Sequence, residues 1–271
     1  ILEVRGLRKR FGETWAVRGL DLIVRPGEAV ALWGPNGAGK TTVLRCILGL
    51  LDCEGTIRVA GRDVRKEGRA ARQWIGYVPQ ELAFYNWTVA ETLQFFAALR
   101  GVRVDPTKVQ ALGLTPYRDH PVRTLSGGLK QRLALALALM GDPPILLLDE
   151  PTANLDLMAR TEWLSRLREL KAQGKTLLFS SHRIEEVQGL ADRVLVMQAG
   201  RVVAEIPPEA LGEAAGLRAR LRLSLPPMDL ERARHVLEAS GYRPASNGHG
   251  LILTVPALSL IHISEPTRQA E

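Results

Sequence analysis

The sequence predicts an α/β fold: a mostly parallel sheet flanked by helices, a helical block inserted midway, and a small α+β appendage near the end. Three observations carry that prediction. Short apolar runs alternate with segments of helical spacing. A glycine-rich loop stands between one such strand and one such helix. The stretch from Val89 to Leu139 reads as helix almost throughout before the alternation resumes.

Taken in order, residues 1–4 and 20–24 have the apolar clustering of short strands, Pro26-Gly27-Glu28 is a turn, and residues 29–32 form an apolar strand that enters the glycine loop. Beyond the loop, Val43, Ile47, Leu48 and Leu51 recur at helical spacing over residues 41–51. Residues 57–59 and 74–78 are further strands. The clearest helices of the middle block cover 89–99 and 128–140. Strand 145–148, helix 159–172, strand 176–180, helix 184–190 and strand 193–198 then restore the alternation that a parallel sheet requires. Residues 1–206 are therefore expected to form one domain, with a helical subdomain at about 81–140.

After Ile206-Pro207-Pro208 the pattern changes. Residues 217–225 alternate, 229–239 form an amphipathic helix, and 250–255 form another strand, which gives a βαβ-like accessory piece over 207–257. The string LSLIHISEPTR at 258–268 resembles the translation of a transposon-based sequencing-library adapter. Residues 258–271 are expected to be an artefact of that kind, and the accessory piece to be truncated. The first residue is Ile1, so the start is expected to be clipped or to use a non-standard codon.

The chain has 271 residues, 46% hydrophobic and 24% charged, as ordinary globular proteins do. Its longest apolar runs fall far short of the roughly 18–20 residues needed to cross a bilayer. No basic-then-apolar leader opens the chain, and a cytosolic protein is expected. Cys46 and Cys53 have neither C-x-x-C nor zinc-ligand spacing and are expected to be structural thiols. Of the 36 basic residues 29 are arginine, and the net charge is +7. The arginines are scattered, so a solvated surface is the favoured reading and no nucleic-acid partner is expected.

Gly34-Pro35-Asn36-Gly37-Ala38-Gly39-Lys40-Thr41 fits G-x-x-x-x-G-K-[ST], followed by Thr42. Glycines let backbone N–H groups turn inward around a phosphate chain, and the next helix adds its positive end. Lys40 can reach the terminal phosphates of ATP, and the Thr41 hydroxyl suits Mg²⁺. Strand 145–148 ends in Asp149-Glu150: Asp149 suits the Mg²⁺ shell, and Glu150 the place where an attacking water would lie. Such a carboxylate pair is a weak signal alone and a nucleotide-hydrolysis signal beside this loop.

Together with further markers in the same order, these residues resemble the ABC ATPase family over residues 2–205. Phe11 falls where the family stacks an aromatic on adenine. Gln80 in Tyr77-Val78-Pro79-Gln80 matches its Q-loop, and Leu125-Ser126-Gly127-Gly128 its signature. Asn154-Leu155-Asp156 matches the D-loop, and His182 after Ser180-Ser181 the switch histidine. Leu129 departs from the commonest signature, which carries Gln there. A histidine or loop amide alone would read as structural; its place in this order reverses that for His182 and Gln80.

The resemblance implies an ATPase that works as a head-to-tail dimer, a homodimer in this case, against a separate integral membrane permease at the cytoplasmic face of the plasma membrane. Each ATP would meet the P-loop of one chain and Ser126, Gly127 and Gly128 of the other, with Asp156 near the same interface. Glu150 would activate water, His182 contact the γ-phosphate, and Gln80 join Thr41 and Asp149 at Mg²⁺. The aromatics within 82–87 fit either the core or a groove for a permease helix. The short insert, the LSGGLKQRL segment and the β-rich appendage resemble single-domain export-type ATPases, such as those of drug efflux and nitrous oxide reductase maturation. A soluble relative acting on ribosomes or DNA is the alternative. A P-loop kinase or GTPase would leave the signature and His182 without a role.

Overall fold

A computed structural model describes residues 1–81, 86–153, 155–214, 218–223, 230–239, 245–246 and 251–256. They divide into two compact units, Ile1–Pro208 and Glu209–Glu271.

The first unit contains two sheets. Strands β1 (Leu2–Phe11) and β2 (Thr14–Val24) form an antiparallel hairpin. The larger sheet begins with β3 (Ala29–Trp33), which the phosphate-loop motif separates from helix α1 (Lys40–Ile47). Next come β4 (Glu54–Val59), β5 (Arg62–Asp63), helix α2 (Gly68–Arg72) and β6 (Ile75–Val78). Strands β4 and β5 extend the hairpin into a four-stranded antiparallel sheet of order β2-β1-β4-β5.

Helices α3 (Val89–Arg100), α4 (Pro106–Ala111) and α5 (Gly127–Ala138) make up the middle block. A capping box starts α3: the Glu91 N–H donates to Thr88 Oγ1 at 3.2 Å and the Thr88 N–H to Glu91 Oε2 at 2.8 Å. Asp105 caps α4, accepting from the Thr107 N–H at 2.9 Å, and Pro106 follows at the position where a missing N–H costs nothing. The alternation then resumes with β7 (Ile145–Asp149), α6 (Leu157–Ala172), β8 (Thr176–Ser181), α7 (Ile184–Leu190), β9 (Arg193–Gln198) and β10 (Arg201–Ile206).

The six-stranded sheet has the order β10-β9-β3-β8-β7-β6 and is parallel except at β10. Every residue of β7 and β8 is buried, as continuous apolar runs in a parallel sheet require. Strand register brings the functional loops level. Leu32 of β3 and Asp149 of β7 both pair with Ser180 of β8. The segments that leave β3, β7 and β8 therefore start side by side, at the carboxyl ends of parallel strands, where α/β sheets place their ligands.

Three features lay outside the sequence prediction. Strand β1 runs past Val4 to Phe11 through register shifts between Val4 and Arg10, and the charges at Arg5, Arg8, Lys9 and Arg10 hide its period. The antiparallel sheet and edge strand β10 were equally unexpected, since half-exposed strands show no apolar run.

In the second unit, α8 (Leu211–Ala214) precedes β11 (Arg218–Leu223), α9 (Leu230–Ala239), β12 (Ala245–Ser246) and β13 (Leu251–Pro256). β11 and β12 both pair antiparallel with β13, which differs from the parallel crossover of a βαβ unit. Residues 258–271 lie outside the described residues. Among the described residues, no helix is long and apolar enough to cross a membrane.

Candidate functional site

The loop between β3 and α1 takes a path open only to glycine at two points. A Cβ at Gly34 would meet the Met197 carbonyl oxygen at 2.2 Å, and one at Gly39 the Ala16 carbonyl oxygen at 2.3 Å. Gly39 has φ +101, in the left-handed region, and leads straight into α1, whose first turn has no side-chain cap. The Gly200 N–H donates to the Ala38 carbonyl at 3.1 Å and pins the loop from outside.

Lys40, the first residue of α1, is almost wholly buried. Its Nζ donates to the carbonyls of Gly34 at 2.7 Å and Pro35 at 3.1 Å, and lies 3.3 Å from Glu150 Oε1. The ammonium is thus held inside the loop by groups that phosphate oxygens can replace. Thr41 Oγ1 donates to Asp149 Oδ1 at 2.9 Å, joining the start of α1 to the tip of β7. His182 Nδ1 lies 3.3 Å from Glu150 Oε2. One carboxylate, Glu150, therefore bridges the P-loop lysine and the histidine after β8.

Phe11, Asn36, Gly37, Ala38, Gly39, Thr42 and Gln80 line a cleft of about 510 Å³ together with Lys40, Thr41 and Glu150. Phe11 is half exposed, and the Lys9 ammonium sits 5.0 Å from its ring centre. The lining fits ATP: a half-exposed aromatic, a glycine-rich loop and a buried ammonium. Thr41 and Asp149 supply the hard oxygen donors that Mg²⁺ prefers.

The remaining predicted residues lie elsewhere. Ser126 caps α5, accepting from the Leu129 N–H at 3.3 Å, and Asp156 caps α6, accepting from the Ala159 N–H at 2.8 Å. Gly128 and Ala159 line one small hollow, so these two helix starts are neighbours. Among the described residues, Ser126, Gly127, Gly128 and Asp156 are absent from the cleft lining. Asn154 and residues 82–85 lie outside the described residues.

The family model for ABC transporters matches residues 17–153. The chain belongs to the ABC transporter family. A Nod factor export ATP-binding protein I from Ralstonia nicotianae is 42% identical over 219 residues, 78% of this chain and 68% of the relative. The structure of an ABC transporter ATP-binding subunit superposes with TM-score 0.71 at 28% identity, over 80% of this chain and 94% of that one. A dimeric ATP-binding cassette in a post-hydrolysis state with ADP and Pi gives TM-score 0.69 at 25% identity, over 77% of this chain and 99% of that one. This ABC protein is an ATPase.

Ser180, Ser181, Thr152 and Glu186, to which the sequence assigned no role, also build the site. Ser180 Oγ donates to Asp149 Oδ1 at 2.7 Å and accepts from the Glu150 N–H at 2.8 Å, fixing the Asp149 carboxylate and the Glu150 backbone from the adjacent strand. Buried Glu186 accepts from Ser181 Oγ at 2.7 Å and from Thr152 Oγ1, tying the turn after Glu150 to the segment that carries His182. Glu185 and Glu186 open α7, where acidic residues commonly stand, so the sequence does not mark Glu186 as a partner of Thr152. Glu150 itself has φ +42, a left-handed conformation rare for a residue with a side chain.

Proposed function

We propose that this ABC ATPase is the energising subunit of an exporter, working as a head-to-tail homodimer that drives a separate membrane permease from the cytoplasmic face of the plasma membrane. The observation that carries the reading is the split between the two halves of the site. Lys40, Thr41, Glu150 and Gln80 share one cleft, while the Ser126-Gly127-Gly128 turn caps another helix outside it. A second copy facing the first supplies the missing half, with Asp156 close to the join.

Each residue then has a distinct part. Backbone N–H groups of residues 36–41 and the Lys40 ammonium hold the phosphates, each charge-assisted bond contributing about 1.5–3 kcal/mol. Phe11 stacks on the adenine. Thr41, Asp149 and Gln80 would hold Mg²⁺, which when bound neutralises charge on the phosphate oxygens. Glu150 orients the attacking water and takes its proton. His182, with Nδ1 toward Glu150, has Nε2 left for the γ-phosphate. Ser126 and the N–H groups of Gly127 and Gly128 meet the same phosphate from the partner.

Export is favoured by the relatives' name, Nod factor export ATP-binding protein I. For the permease, α3 offers a surface soon after Gln80: Phe95 and Phe96 are partly exposed and Leu99 is 67% exposed. Trp87, Phe95 and Phe96 stand edge to face, at 4.9 and 5.6 Å between successive ring centres. Aromatic groups of this kind anchor interfaces. The test is co-purification in detergent with the membrane protein encoded beside this gene. A stoichiometric complex with an altered ATPase rate is expected. A protein that ignores every membrane candidate and sediments with ribosomes or DNA would overturn the reading.

A further inference from the structure

Away from the nucleotide cleft, the two cysteines meet. Helix α1 ends in a Schellman turn: the Gly49 N–H donates to the Cys46 carbonyl and the Leu50 N–H to the Arg45 carbonyl, both at 2.9 Å, with Gly49 at φ +67. That reversal brings the chain entering β4 back past the last turn of α1. Cys53 packs against the core cluster that contains Cys46, and both cysteines line the same cavity. Cys46 is buried, whereas Cys53 is partly open to solvent.

Both line a cavity of about 530 Å³ whose other charged walls are Arg65, Lys66, Arg69 and Arg72, against Asp52 and Asp63. Arg65 Nη2 donates to the Cys53 carbonyl, which holds its guanidinium at this thiol. The hydrogen bond from Cys46, with Arg65 and Lys9, draws the Cys53 thiol down to about 7, while the same hydrogen bond and burial push Cys46 up. Sequence spacing alone leaves both as structural thiols; the fold gives them different parts.

We propose that Cys46 and Cys53 form a redox-active pair that a hydroperoxide closes to an intramolecular disulfide. The Cys53 thiolate attacks the distal peroxide oxygen, giving Cys53 sulfenic acid and releasing an alcohol or water. Cys46 sulfur then attacks the Cys53 sulfur, forming the S–S bond and expelling the hydroxyl as a second water with the Cys46 proton. Two thiols lose two hydrogens, and the peroxide is reduced by two electrons. A reversible pair of this kind suits a reducing compartment, where structural disulfides do not persist.

The test exposes the full chain to hydrogen peroxide, alkylates the remaining thiols, and tracks intact mass and peptides. The expected product is the monomer short of two hydrogens, with a Cys46–Cys53 cross-linked peptide that dithiothreitol reverses. Cys46, Arg65 and Lys9 hold the Cys53 thiol below an ordinary cysteine, so at pH 7 more of it is thiolate and it should react faster than a free cysteine. Cys46→Ser should stop at a Cys53 sulfenic acid that dimedone traps, and Cys53→Ser should leave Cys46 unoxidised. Three results would overturn the proposal: Cys53 over-oxidised while Cys46 still alkylates, disulfide-linked dimers, or two thiols that both survive the peroxide.

Discussion

Ser180→Ala removes one oxygen from the centre of the site, and its effect can be worked from the contacts. The bond to the Asp149 carboxylate is charge-assisted and contributes about 1.5–3 kcal/mol; the Glu150 N–H left buried without an acceptor costs about 1–3 more. Such contributions add imperfectly, so about 3 kcal/mol is a fair total. For a domain of this size that lowers Tm by roughly 6–12 °C. The same change removes one of the two hydrogen bonds that hold the Asp149 carboxylate and loosens the backbone that carries Glu150, the residues proposed to face metal and water. Lys40 is held independently by the Gly34 and Pro35 carbonyls. The loss should therefore fall on kcat, roughly tenfold for each 1.4 kcal/mol that reaches the barrier, with KM for ATP nearly unchanged. Calorimetry and a phosphate-release assay read both numbers. A variant melting within about 1 °C of the parent, with kcat intact, would refute the assignment of Ser180 as the brace of the Asp149 carboxylate and the Glu150 backbone.

Four further outcomes are expected. Glu150→Gln should abolish turnover yet leave an ATP-bound dimer on size exclusion; a monomer at saturating ATP would count against the head-to-tail arrangement. Lys40→Ala should weaken ATP binding by roughly 10- to 100-fold, from the loss of about 1.5–3 kcal/mol, as read by nucleotide titration. Burial, with Asp149 nearby, pushes the Tyr77 phenol up to about 12, so an ultraviolet titration should show a late-ionising tyrosine that Tyr77→Phe removes. The hydrogen bond from Lys175 holds Asp142 below the usual carboxylate range, so its contribution is present above about pH 4 and is lost as pH falls further. Lys175→Met should flatten that acid-side slope in denaturant melts.

Much of the site was legible because its chemistry constrains residue type at fixed spacing. Only glycine tolerates the approaches of Met197 and Ala16 to the loop, so Gly34 and Gly39 declare themselves in the sequence. The buried strands β7 and β8 are continuous apolar runs that read plainly. Ser180 and Glu186 did not, since a serine inside a strand and a glutamate at a helix start have many ordinary explanations; their partners lie about thirty residues away along the chain. The antiparallel sheet escaped for a different reason: with one face wet and its period broken by bulges, β1 shows no run to find. The meeting of Cys46 with Cys53 depends on a turn at Gly49 that spacing alone does not predict.

The left-handed backbone at Glu150 sets folding against function at a single position. A residue with a Cβ held there costs on the order of 1–2 kcal/mol that glycine would not incur. Replacing Glu150 by glycine should relieve that strain while removing the carboxylate proposed as the base for hydrolysis. Selection for thermal stability alone would then enrich inactive chains at this site, and the conformation persists only where turnover is also demanded.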